Sequence, residues 1–180
     1  FVGYWVHRWM HSISVLWKFH EFHHSARTFT IFTVHRVHPV DSAIVKFFQT
    51  LVVLLLGVST ANVFAFSLIA LAAGTVKHSN LTLPYPSIFR YLIQSPAQHW
   101  IHHSDNPAHF DKNYGELFQI WDSIFGTAYN PSQEELREVQ LGTIETIEAH
   151  DRVGELLLKP YRYALGTLCR GVNWRHSTNG

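Results

Sequence analysis

His7-Arg8-Trp9-Met10-His11 and His20-Glu21-Phe22-His23-His24 stand eight residues apart near the start of the chain, and together they hold five histidines. In a helix the two histidines of the first box share a face, at i and i+4, and so do the three of the second box, at i, i+3 and i+4. The third box, His99–His103, repeats the i, i+3, i+4 spacing. Imidazole suits iron, zinc and copper. Eight histidines exceed the need of one mononuclear site, so the spacing predicts a site for two metal ions.

The alternative for any histidine is a buried, hydrogen-bonded residue of the core. Eight such residues in tight sets would leave polar atoms needing partners, at roughly 1–3 kcal/mol for each one unsatisfied, and metal ions remove that cost. The isolated histidines have no partner at ligand spacing, so for them we expect the structural role: His35, His109, His150 and His176.

The composition narrows the class of protein. The 14 histidines equal Lys plus Arg in number, charged residues make up only 15%, and the net charge is +1. The chain lacks the basic stripe of a nucleic-acid-binding protein, so no nucleic-acid partner is expected. Cys169 is the single cysteine, which excludes a disulfide framework within the chain and a Cys-rich zinc module. The chain begins with Phe1 inside an apolar aromatic run, and we expect that upstream N-terminal helices are missing.

An apolar block runs from Asp41 to Val76, with Lys46 as its charged residue. About 35 residues would form a helix of roughly 50 Å, too long for one crossing of a hydrocarbon core of about 30 Å. The segment 57–60 offers a turn in the middle, so we expect a membrane hairpin over about 42–77, with helices near 42–56 and 61–77. The alternative is a buried helical pair in a soluble bundle.

Other segments also predict helices. Residues 1–17 predict one helix, which 18–24 continue or restart. Ser95 begins another, with a proline next and Gln98 able to complete a capping box. Residues 116–125 predict a short helix that ends at Gly126. Residues 1–130 then form one domain and 131–180 a polar C-terminal extension. The fold predicted is all-α, an integral-membrane helical bundle with a histidine-rich cap that holds a dinuclear metal site.

The ordered boxes resemble the fatty acid hydroxylase / sterol desaturase superfamily. The resemblance covers residues 4–128 and includes the three boxes around an apolar hairpin. Four further motifs belong to it: Arg36-Val37-His38-Pro39, His78-Ser79-Asn80, Lys112-Asn113-Tyr114-Gly115 and Trp121-Asp122-Ser123-Ile124-Phe125-Gly126-Thr127. It implies an integral-membrane oxygenase with two iron ions that hydroxylates or desaturates a C–H bond of a sterol, fatty acyl or related lipid with O2.

The resemblance also implies a ligand set, a location and partners. The metal ligands would be His7, His11, His20, His23, His24, His38, His78, His99, His102 and His103, and the residues supporting them Arg36, Asn80, Asp111, Asn113 and Asp122. The fatty-acyl branch has a second histidine where this chain has Thr82, so we hypothesise that His38 takes that place. The metal site would face the cytosol from a bacterial inner membrane or the endoplasmic reticulum. Electrons would come from a partner of the cytochrome b5 or ferredoxin type, and zinc is able to replace iron in a purified sample.

Two alternatives remain at this stage, a membrane metal-binding protein without turnover and a zinc-dependent hydrolase. A hydrolase needs an acidic general base near the metal. Glu21 lies within the second box, but its position turns it off the face of the histidines, so we expect it to face solvent or to form an ion pair. Asp111, Asn113 and Asp122 have an alternative role in capping loops.

Overall fold

The computed structural model describes residues 1–86, 88–143 and 153–170. These residues form an all-helical structure with no strand; an isolated antiparallel bridge joins Ser104 and Leu141. The helices are α1 (Val2–Ser12), α2 (Ser14–His24), α3 (Pro39–Leu55), α4 (Thr60–Lys77), α5 (Phe89–Leu92), α6 (Pro96–His102), α7 (Ile120–Phe125), α8 (Gln133–Glu138) and α9 (Val153–Arg170). The predicted all-α class is confirmed.

The first two helices are separated at Ile13, whose backbone is extended with φ −104° and ψ 113°. The prediction of one helix through residue 17 is therefore wrong. An unbroken helix turns about 100° per residue, so the nine steps from His11 to His20 would place the two side chains on opposite faces. The break at Ile13 reorients α2, and the first two boxes face the same centre.

Helices α3 and α4 occupy the segment for which the sequence predicts the membrane hairpin. The side chain of His38 accepts a hydrogen bond from the backbone N–H of Val40 at the start of α3, and Pro39 occupies the first turn. Ser59 caps α4 in the same way, and Gly57 adopts φ 61° in the turn between the helices. Both helices begin slightly earlier than predicted, because each has a capping residue ahead of the apolar run.

Helix α4 is the one helix of the described residues that is long and apolar enough to span a membrane. Its large side chains are exposed, with Phe64 and Phe66 both at 67%. Helix α3 has 17 residues and exposes Phe47 and Leu54 in the same manner. Exposed apolar surfaces of this extent are typical of contact with lipid or protein, and the architecture is that of a helical membrane protein.

Helices α6 and α7 carry the end signals that the sequence predicts. Ser95 and Gln98 form a capping box at the start of α6, and Gly126 ends α7 in the left-handed conformation with φ 73°. Helix α7 starts at Ile120, later than predicted, because the backbone before it forms bonds across the fold: Gln94 N–H donates to the carbonyl of Leu117 at 3.0 Å. Helix α9 packs against α2, where the ring centroids of Phe19 and Tyr161 lie 5.3 Å apart.

Candidate metal centre

Nine histidines converge in two adjoining clusters, although they come from four separate parts of the chain. In each cluster one nitrogen per ring lies within 4.8 Å of all the others. The five-histidine cluster consists of His7, His11, His20, His24 and His102. The four-histidine cluster consists of His23, His78, His99 and His103. The arrangement can hold two metal ions side by side.

The second and third boxes divide their histidines between the clusters in opposite ways. The second box gives its i and i+4 members to the five-histidine cluster and its i+3 member, His23, to the other. The third box gives its i and i+4 members to the four-histidine cluster and His102 to the other. The rings of His24 and His103 stack across the boundary with centroids 4.0 Å apart. This exchange ties the clusters together, because neither can form without residues of both helices.

Backbone carbonyls outside the clusters determine the tautomers of four rings. His7 Nδ1 donates to the carbonyl of Tyr114 at 2.7 Å, and His102 Nδ1 to that of Lys112 at 2.8 Å. His23 Nδ1 donates to the carbonyl of Arg36 at 3.1 Å, and His78 Nδ1 to that of Gly74 at 2.8 Å. A carbonyl oxygen only accepts, so each proton resides on Nδ1 and the Nε2 lone pair faces the cluster.

In each cluster two of these lone pairs face each other directly. The Nε2 atoms of His7 and His102 are 3.0 Å apart, and so are those of His23 and His78. Because neither nitrogen of a pair carries a proton, no hydrogen bond can form between them. Two nitrogens bound to one ion at about 2.0–2.1 Å and at right angles lie about 3 Å apart. The pairs are therefore placed as ligands of a shared cation.

Several other ring nitrogens of the clustered histidines are buried and have no hydrogen-bond partner. These buried atoms are Nε2 of His11, His20, His24 and His103 and Nδ1 of His99 and His103. Unpartnered buried polar atoms are rare in folded proteins and usually indicate an absent water or ion. Such a concentration of them in an all-imidazole donor set fits bound metal ions, because imidazole is a common metal ligand.

Burial keeps the imidazoles neutral, the form that binds metal. It lowers the pKa of His7 and of His78 from 6.5 to about 4. Burial, with repulsion from neighbouring imidazoles, also lowers the pKa of six other cluster members well below 6.5: His11, His23, His24, His99, His102 and His103. No proton has to be displaced from these rings at neutral pH when a cation binds.

The family model for fatty acid hydroxylases matches residues 1–127, which include all nine clustered histidines. The chain belongs to the fatty acid hydroxylase family. Alkylglycerol monooxygenase of Danio rerio is 31% identical over 69% of this chain and 27% of its own length. An ornithine lipid hydroxylase of Rhizobium tropici is 30% identical over 71% of this chain and 38% of its own length. Lathosterol oxidase of Homo sapiens is 30% identical over 73% of this chain and 42% of its own length.

This fatty acid hydroxylase family member therefore spans less than half the length of the curated relatives named above. No solved structure matches the chain. The matched region ends just after α7, so α8 and α9 lie beyond it.

His38, the tenth ligand candidate of this family member, lies outside both clusters. Its Nδ1 accepts the N–H of Val40 at 3.1 Å, and its Nε2 donates to the carbonyl of Leu157 in α9 at 3.1 Å. Both ring nitrogens are thus occupied, in the tautomer opposite to that of the four rings above. The structure gives His38 a capping and docking position.

Of the two polar residues Arg36 and Asn80 that were proposed to support the ligands, only Arg36 contacts a clustered histidine. Arg36 supplies its backbone carbonyl to His23, while its guanidinium donates to the carbonyl of Phe22 and the hydroxyl of Ser25 instead of a carboxylate. Asn80 forms no hydrogen bond within the described residues and lines a surface cavity. Glu21 forms an ion pair with Lys18 at 3.1 Å and joins neither cluster; at 4% exposure it does not face solvent.

Asp122 and Asn113 act one step further out, by fixing the loop whose carbonyls orient His7 and His102. Asp122 accepts from the backbone N–H groups of Tyr114 and Gly115, each at 2.7 Å. Burial raises the pKa of Asp122, and its hydrogen bonds oppose that rise. Asn113 adopts φ 57° and donates to the carbonyl of Gln98. Asp111, at φ 60°, accepts from the hydroxyl of Tyr114, whose ring packs beside His11.

Two supporting residues were not predicted from the sequence. Asp41 Oδ2 accepts from His20 Nδ1 at 2.7 Å, and both side chains are buried. Lys77 is 4% exposed and donates to the side chain of Gln94 and to the carbonyls of Gly115 and Glu116. The sequence did contain a signal for both residues, since each is a charged residue at one end of the apolar block. Charged residues in such positions usually have a function.

Proposed function

We propose that this chain forms the metal-binding core of a membrane-bound di-iron oxygenase that hydroxylates or desaturates a C–H bond of a lipid with O2 and external electrons. Family membership supports it, and so do relatives named for monooxygenase, hydroxylase and oxidase reactions on alkylglycerol, ornithine lipid and lathosterol. The observation that carries the proposal is the pair of facing Nε2 lone pairs in each cluster, 3.0 Å apart.

The nine clustered histidines would hold the two ions, and His38 is excluded from the proposed set because both its nitrogens are occupied. Bound iron would supply the reductive activation of O2, which neutral nitrogen ligands with open positions allow. The residues of the chain orient the lone pairs, keep the rings deprotonated and exclude bulk water from the centre. Zinc is able to occupy the same ligands in a purified sample, because Zn²⁺ binds imidazole more tightly than Fe²⁺ does.

The position of the site relative to α4 supports a proposed location on one face of the membrane, which the family resemblance implies is the cytosolic face. His78 follows directly after the last residue of α4, and His38 directly precedes α3. A hairpin of two crossings would return the chain to the side from which it left. A lipid would then reach the site from the bilayer, and an electron donor of the cytochrome b5 or ferredoxin type would approach from the aqueous side.

The test uses the full-length protein in lipid nanodiscs, loaded anaerobically with ferrous iron. We expect about two iron ions per chain, and O2 uptake that requires both a reductant and a lipid extract, with an oxygenated or desaturated lipid detected by mass spectrometry. The His11→Ala variant should lose this uptake. His35→Ala should retain it, because His35 lies outside the clusters and is exposed, contrary to the buried core position that the sequence predicts for it.

The same measurement separates the alternatives. Lipid hydrolysis by the zinc-loaded protein would show that the chain belongs to a hydrolase and not to an oxygenase. If the protein binds two ions but turns over no lipid with any reductant, it is a metal-binding protein without catalytic activity.

A further inference from the structure

A surface cavity of about 380 Å³ adjoins the four-histidine cluster and has no part in metal binding. Phe29 lines this cavity and also contacts His103 and His78, with ring centroids 4.9 and 5.3 Å away. Trp100, which directly follows His99, forms a second wall. The cavity and the cluster therefore share Phe29 as a common neighbour.

The cavity also lies beside the end of the membrane helix. Asn80 lines it and stands three residues beyond the last residue of α4. The indole N–H of Trp100 donates to the carbonyl of Ser79 at 3.3 Å and fixes that wall against the same segment. If α4 spans the bilayer, a lipid whose chain lies along it would present its head group at this level.

Among the described residues, the lining is rich in hydrogen-bond donors and contains no carboxylate. Arg27, Thr28, Asn80 and Gln140 are its polar members. Arg27 is exposed and forms no hydrogen bond or ion pair with any residue in 1–86, 88–143 or 153–170. A guanidinium binds phosphate oxygens in a two-pronged geometry, and neutral amide and hydroxyl groups can donate to those that remain. The set is suited to an oxygen-rich anion.

We propose that this cavity binds the phosphate-bearing head group of a lipid, with Arg27 as the principal contact. The inference rests on the proposed function in one respect, that the bound lipid is the substrate class. A volume of about 380 Å³ exceeds that of a bare phosphate and lies within the range of pockets for small ligands. The aromatic walls would then contact the glycerol part of the head group.

The experiment measures binding without turnover, by equilibrium dialysis of the full-length protein in a neutral detergent. The probes are a short-chain phosphatidic acid, the diacylglycerol with the same chains, and inorganic phosphate. We expect phosphatidic acid to bind at least tenfold more tightly than either other probe. Arg27→Gln should abolish that advantage, weakening phosphatidic acid about tenfold, while Arg90→Gln, the same charge change at an exposed arginine outside the cavity, should change it less than twofold.

Equal affinity of Arg27→Gln and the unaltered protein for phosphatidic acid would overturn the proposal. Binding of inorganic phosphate as tight as that of phosphatidic acid would also overturn the proposal, because the site would then bind a free anion and not a lipid head group. Because binding needs no metal, a protein that binds phosphatidic acid through Arg27 but turns over no lipid would refute the oxygenase alone. Lipid oxygenation unaffected by Arg27→Gln, with no loss of binding, would refute the head-group site alone.

Discussion

The Nε2 atoms of His7 and His102 lie 3.0 Å apart, yet both rings donate their only proton through Nδ1 to a backbone carbonyl. Two lone pairs at this distance repel each other unless a cation lies between them. His23 and His78 repeat the relationship in the second cluster. The folded chain is thus complementary to bound cations.

Removal of metal should destabilise the protein, because the cations offset this repulsion and stabilise the folded state by mass action. An ion present at about 1,000 times its Kd contributes about 4 kcal/mol. For a chain of this size that corresponds to a fall in Tm of about 10 °C. Thermal unfolding before and after dialysis against a chelator measures it, and added iron or zinc should restore the original Tm. An unchanged Tm after complete metal removal would contradict the interpretation of the clusters.

The stability of the metal-free protein should fall as the pH decreases from about 6.5 to about 4. Burial lowers the pKa of His7 and of His78 to about 4, whereas an unfolded histidine titrates near 6.5. In this window the unfolded chain binds more protons than the folded chain, so the free energy of unfolding rises with pH and levels off above about 6.5. Chemical unfolding of the metal-free protein at a series of pH values tests this. A stability independent of pH across that window would show that these rings are not buried.

Replacing Asp41 with Asn should weaken metal retention without unfolding the protein. The carboxylate accepts from His20 Nδ1 at 2.7 Å and thereby fixes the tautomer and the orientation of that ring. Loss of such a partner typically lowers metal affinity about 10–100-fold, which competition with a chelator measures. Asp105→Asn is the matched control, since the side chain of Asp105 forms no bond in the described part of the chain. If the Asp41→Asn and Asp105→Asn variants retained metal equally well, Asp41 would have no role in supporting the metal site.

His38→Ala should keep two metal ions per chain but lower thermal stability. The variant loses the cap on Val40, which is typically about 1 kcal/mol, and the bond to Leu157. His38→Asn can still cap α3 and should recover part of the loss. Metal analysis and thermal unfolding together test this pair. Loss of one ion from both variants, with unchanged stability, would return His38 to the ligand set.

Substituting the neighbours His102 and His103 should perturb different ions, because the two rings belong to different clusters. A Mössbauer spectrum of the ⁵⁷Fe-loaded protein should contain two components, one for each ion. We expect His102→Ala to alter the component of the five-histidine site and His103→Ala that of the four-histidine site. If both variants changed the same spectral component, the assignment of His102 and His103 to different metal ions would be wrong.

Eight of the nine clustered histidines could be predicted from the sequence because their spacing matches the helical repeat, and this periodicity survives in α2 and α6. His78 was named only through the family resemblance. The break at Ile13 could not, because nothing in that residue type interrupts a helix. Asp41 was missed since a lone carboxylate at the start of an apolar block has several interpretations. The loop carbonyls that orient His7 and His102 have no sequence signal at all, because every residue carries one.

The sequence by itself determined the ligand chemistry, the helical class and the apolar length of the hairpin, since these follow from residue types and their local spacing. The tertiary structure alone decided which histidines share an ion and which nitrogen of each ring faces it. Those properties depend on partners far along the chain, such as His7 and His102, which are 95 residues apart. The physical reason is that a ring's tautomer follows from what accepts its other proton, and only folding brings that acceptor into place.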